Sequence, residues 1–93
     1  MKDVEKAINF IIEQLKVSER EAKRLLHRYI CKGLCDWYQS ESEVTGFAYI
    51  NLTEKQLKVI EEAIEKFVEG ETNKNKIKRV HQYLCPGEPC SMN

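Results

Sequence analysis

The chain has 93 residues, 42% of them hydrophobic and 32% charged, and its 15 basic and 15 acidic side chains cancel to a formal net charge of zero. That length admits one domain, residues 1–93, and the composition excludes a disordered tail. Apolar runs such as Phe10-Ile11-Ile12 are far too short for a membrane span or the core of a secretory signal, so a soluble, cytoplasmic (intracellular) protein is the expectation. A chain this small buries only about 60–65% of its unfolded surface, and a staple or a partner would strengthen it.

Zero net charge argues against nucleic-acid binding as a bulk property, but the charge is unevenly spread. Residues 1–15 carry −1, residues 16–34 carry +4, residues 35–71 carry −6 and residues 72–93 carry +3. Adjoining blocks of opposite sign create an oriented field even when the total vanishes. Eleven Lys and thirteen Glu against two Asp match the usage of proteins from thermophiles, in which intracellular disulfides are an accepted exception.

Val4, Ala7, Ile8, Ile11, Ile12 and Leu15 recur at three- and four-residue spacing and predict a helix from about Asp3 to Leu15. After a break at Lys16-Val17, Ser18-Glu19-Arg20-Glu21 reads as a capping box opening a second helix that reaches about Cys31, with Gly33 as its stop. Ala22, Leu25, Leu26, Tyr29 and Ile30 share the inward face of that helix. Residues 36–39 and 47–52 are rich in aromatic and β-branched side chains and flank a polar loop ending in Gly46, which predicts a two-stranded hairpin. Thr53-Glu54-Lys55-Gln56 is a second capping box, opening a helix with Leu57, Ile60, Ala63, Ile64, Phe67 and Val68 inward and Gly70 at its close. A final helix is expected from about Lys74 to Leu84, with Ile77, Val80, His81 and Leu84 on one face and Pro86 ending it. Residues 85–93 form a Cys- and Pro-containing tail.

The order helix, turn, helix, hairpin, helix carries a resemblance. Residues 17–26 followed by Lys32-Gly33-Leu34 look like the recognition helix and exit of the winged helix-turn-helix family, whose small archaeal, viral and bacterial members are transcription regulators. Tyr49-Ile50-Asn51-Leu52-Thr53-Glu54-Lys55 is similar to the return strand of the wing and the helix after it. The resemblance covers about residues 5–69. It implies an α+β, mainly α fold: a winged helix-turn-helix with a two-stranded hairpin wing and an additional C-terminal helix. It departs from the family in having two helices before the wing where three are usual.

With the apolar face of the second helix turned inward, Arg20, Lys23, Arg24, His27, Arg28 and Lys32 are left toward solvent, behind the Ser18 cap. The resemblance implies that Ser18 and these six residues bind double-stranded DNA. Arg20, Lys23 and Arg24 would reach base edges, and Arg28 and Lys32 would contact phosphate. Sequence-specific binding as a homodimer follows as the expected function, with residues 53–69 and 74–84 as the candidate dimer interface. The wing loop is acidic (Glu41, Glu43, with Asp36 at its base), which weakens a second grip on phosphate. That favours a rival reading as a protein-interaction module on the same scaffold.

Four cysteines complete the inventory: Cys31, Cys35, Cys85 and Cys90. Cys85 and Cys90 flank a Pro-Gly-Glu-Pro turn, and disulfides among the four are the favoured reading, in any of three connectivities. His27/Cys31 and His81/Cys85 each stand four apart on one helix face, so these four residues allow a zinc site and a redox- or metal-responsive regulator. The Cys-x3-Cys and Cys-x4-Cys separations are looser than the usual zinc-knuckle spacing, so neither metal nor cofactor is expected; unbridged buried thiols are the third alternative. No Gly-rich phosphate loop and no Ser/His/Asp constellation is present, which points away from an enzyme.

Overall fold

The structure, a computed structural model, describes residues 2–31 and 51–85. These residues form four helices: α1 (Lys2–Leu15), α2 (Glu19–Ile30), α3 (Glu54–Phe67) and α4 (Asn73–Leu84). None is long and apolar enough to cross a membrane.

Local chemistry explains where each helix starts and stops. α1 ends at Leu15 because Lys16 turns into the left-handed region (φ 54°) and Val17 N–H closes back onto Ile12 C=O at 3.3 Å, a Schellman-type finish. Ser18 caps α2 by accepting from Glu21 N–H at 3.1 Å. The expected reciprocal half of that box is not what Glu21 does; its carboxylate instead takes Arg24 Nη1 at 3.0 Å. At α3 the box is complete, with Thr53 Oγ1 accepting from Gln56 N–H and Gln56 Oε1 from Thr53 N–H. α4 begins one residue before the expected start, capped by Thr72. Gly70 (φ 155°) serves the chain reversal between α3 and α4, where an added Cβ would stand 3.0 Å from Lys76 Cγ and 3.1 Å from Lys76 N.

The core lies between helices. α1 packs most extensively on α3, while α2 and α4 each touch the other three. Val4, Ala7, Ile8 and Ile11 of α1 meet Ile60, Ala63 and Ile64 of α3 and Ala22, Leu25, Leu26 and Ile30 of α2, all within 3% of full burial. Each large aliphatic side chain so buried contributes about 1.5–3 kcal/mol. At the rim of the α1–α3 contact, Phe10 and Phe67 tilt together at 5.4 Å between centroids. α4 contributes less, with Val80 as its one fully buried residue.

This arrangement corrects the winged-helix expectation: the described chain is an all-helical, four-helix fold with no strand among the described residues. The physical reason is in the capping chemistry. The Leu-Thr-Glu-Lys motif that suggested a wing strand running into a helix marks only the start of α3, and Asn51 and Leu52 ahead of it are not strand. The two amphipathic helices α1 and α3 cover each other, so the core needs no sheet to close it. The remainder of the expected hairpin, the Lys32-Gly33-Leu34 motif and the tail beyond Cys85 lie outside the described residues. Of the apolar faces of residues 53–69 and 74–84, expected at a dimer interface, Ile60, Ala63, Ile64, Val68 and Val80 are buried inside the single chain.

A carboxylate–guanidinium clasp fastens the start of α1 to the other end of the fold. Asp3, 8% exposed at its side chain, accepts from Arg79 Nε and Nη2 and from Glu69 N–H. The Arg79 hydrogen bonds hold its carboxyl well below the usual carboxylate range, against the opposing effect of burial.

Candidate metal centre

α2 and α4 finish in the same way. In each, a His stands in the last turn and a Cys follows four residues later as C-cap, its amide donating to the His carbonyl: Cys31 N–H to His27 O at 2.8 Å, and Cys85 N–H to His81 O at 2.9 Å. The two helix ends bring the Cys side chains together. Cys31 Sγ and Cys85 Sγ are 3.9 Å apart, and Cys85 Sγ is 3.7 Å from His27 Nδ1. The ligand atoms of His27, Cys31 and Cys85 all lie within 4.8 Å of one another. At 3.9 Å the sulfurs are well beyond the ~2.05 Å of an S–S bond, so Cys31 and Cys85 are not bridged to each other.

The site is dry. His27 is 1%, Cys31 0% and Cys85 5% exposed. Burial, reinforced by the charges of His81 and Lys23, pushes the His27 imidazole down to about 4, so at neutral pH it is uncharged and one ring nitrogen carries a lone pair. The C-terminal ends of α2 and α4 add partial negative charge from their last carbonyls, which favours a cation between them. His81, half-buried, is not among the three converging groups, yet its Nε2 is buried with no hydrogen-bond partner.

The structure separates the residues expected to face DNA. Ser18 is exposed but committed as the cap of α2, and Arg20 is exposed. Lys23 pairs with Glu19 at 3.3 Å, and Arg24, 12% exposed at its side chain, is held by Glu21. Arg28 is half-buried, His27 sits in the core rather than toward solvent, and Lys32 lies outside the described residues. α2 is therefore covered over a wider arc than its Leu and Ile positions alone suggest. The signal that would have placed His27 inward is Cys31, a small apolar side chain one turn on along the same face. On the last helix, Arg79 is spent on Asp3, and Lys76 Nζ donates to Glu65 O at 2.9 Å. Of the four cysteines, Cys35 and Cys90 lie outside the described residues.

The described chain is thus a small four-helix domain with a buried Cys/Cys/His cluster where two helices end. Comparison with protein-family models, with curated proteins and with solved structures gave no match.

Proposed function

We propose that this chain is a metal-responsive helical protein that binds zinc through His27 Nδ1, Cys31 Sγ and Cys85 Sγ, with His81 swung in as the fourth ligand. The observation that carries the reading is the spacing of the donor atoms. Zn–S bonds of about 2.3 Å and Zn–N bonds of about 2.0–2.1 Å at tetrahedral angles require about 3.8 Å between two sulfurs and about 3.6 Å between sulfur and nitrogen. Two edges of the cluster, both from Cys85 Sγ, measure 3.9 and 3.7 Å, and the third, Cys31 Sγ to His27, lies within 4.8 Å, so the His27 ring closes in as the ion binds. Thiolate and imidazole donors also suit zinc rather than the oxygen-seeking calcium or magnesium. Bound there, the ion would tie α2 to α4, so the metal's presence governs how firmly the last helix is docked.

Cobalt(II) titration of the reduced protein tests this, because a tetrahedral thiolate site colours the ion. One equivalent is expected to bind with thiolate charge-transfer absorption, to be displaced by zinc, and to be lost in Cys31→Ala and Cys85→Ala. Native mass spectrometry showing no zinc in the wild-type chain would leave the cluster as a thiol–imidazole core contact and sink the proposal.

A further inference from the structure

We infer that the same pair of sulfurs makes the site redox-sensitive: a two-electron oxidant such as hydrogen peroxide discharges the zinc by joining Cys31 to Cys85. The inference rests on the zinc reading above. Its own support is the juxtaposition of two sulfurs 3.9 Å apart, drawn from helix ends 54 residues apart in sequence.

The chemistry balances with peroxide as the only co-reactant. Cys85, the more exposed of the two at 5% against 0%, attacks a peroxide oxygen. The O–O bond breaks, a sulfenic acid forms, and the departing hydroxide takes a proton to become water. Cys31 then attacks the sulfenic sulfur, the S–S bond forms, and a second hydroxide leaves and is protonated. Two thiolates, one peroxide and two protons give one disulfide and two waters. Zinc keeps its oxidation state throughout and leaves as the divalent ion, because two of its donors have become a neutral disulfide.

Closing 3.9 Å to ~2.05 Å falls on residues suited to absorb it. Cys31 and Cys85 are C-caps, outside the last helical turn, so side-chain and cap torsions can change while α2 and α4 stay wound. The site therefore exchanges a metal cross-link for a covalent one between the same two helices. It releases its ion without releasing α4. A switch of this kind delivers a zinc signal from a protein that stays folded.

The test uses the full-length reduced chain, loaded with zinc and checked for stoichiometry before oxidation. Peroxide is then added with a metallochromic dye present, and the product is mapped by proteolysis and mass spectrometry. The expected result is one zinc released per chain and two hydrogens lost relative to the reduced zinc-free chain. A peptide pair linked through Cys31 and Cys85, an unchanged helical circular dichroism signal, and recovery of zinc uptake after a thiol reductant complete that result. Failure to load zinc at the outset would overturn the metal reading and this inference with it. Loading followed by retention of zinc under peroxide would overturn the redox inference alone. So would release through any bridge other than Cys31–Cys85, or release with loss of helix.

Discussion

The number of protons released on zinc binding can be worked out from the cluster. Both sulfur ligands must become thiolates, so Cys31 and Cys85 contribute one proton each. His27 contributes none, because burial already keeps its ring neutral far above its folded value of about 4. At about pH 7.5, where ordinary thiols are protonated and ordinary imidazoles are not, the count is about two protons per zinc. Affinity should then climb by up to a hundredfold per pH unit in the range where the thiols remain protonated, about 2.7 kcal/mol. Zinc at a hundred times its Kd should stabilise the fold by about 2.7 kcal/mol, a rise in Tm on the order of 10–20 °C for a chain of this size. Isothermal titration calorimetry in two buffers of different ionisation enthalpy reads the proton count directly, and thermal unfolding with zinc and with chelator reads the stabilisation. A count near zero would show that no thiolate is involved. A count of three or four would show that Cys35 or Cys90 has taken the place given to an imidazole, and the ligand set drawn from the two helix ends would be wrong.

Acid should weaken the zinc-free fold in two stages. The folded-state value of His27 is depressed, from 6.5 to about 4, so the unfolded chain binds the extra proton first. Stability from keeping it neutral is full above pH 6.5 and falls through that interval, by about 3 kcal/mol in all; His27→Leu should flatten urea-unfolding curves there, and an unchanged pH profile would count against its burial. Asp3, also depressed, adds stability that is present above the ordinary carboxylate range and lost as pH falls below about 4, and Asp3→Asn should remove that second loss. Lys16→Gly relieves a left-handed φ of 54° and should stabilise by about 1 kcal/mol, whereas Gly70→Ala should destabilise; reversed signs in chemical denaturation would contradict the backbone assignments. Leu26→Ala at 1% exposure should cost about 2–5 kcal/mol, and a loss below 1 kcal/mol would show that the α2 face is not core.

The helices were legible because each is written locally. Apolar positions at 3.6-residue spacing, with Ser18 and Thr53 as the caps of α2 and α3, place all four helices within a residue or two of their observed bounds; only the Thr72 cap of α4 carries no such reading. How the helices assemble is a long-range matter, and there the family resemblance misled. The Leu52-Thr53-Glu54-Lys55 segment looks the same whether a strand or a loop precedes it. The clasp between Asp3 and Arg79, 76 positions apart, leaves no periodic trace. The metal cluster was half visible: two His-x3-Cys pairs stood out as spacing, but spacing within a helix says nothing about whether two helix ends meet. The charged neighbours of His27 point to solvent, while the fold puts His27 inside with Ala22, Leu25, Leu26, Ile30 and Cys31.

The weak apolar footing of α4 has a consequence for how the molecule opens. With Val80 alone fully buried from this helix, its attachment depends on Arg79 gripping Asp3 and on Cys85 meeting His27 and Cys31. Helices α1, α2 and α3 share a continuous aliphatic interior that asks little of α4. Residues 73–84 are thus placed to act as a separate cooperative unit, opening below the global unfolding energy and exchanging their amide hydrogens ahead of α1 and α3. Chelation at one end of the helix and acid at the clasp would then act as independent controls on a single local equilibrium, and a Cys31–Cys85 bridge would hold that equilibrium closed.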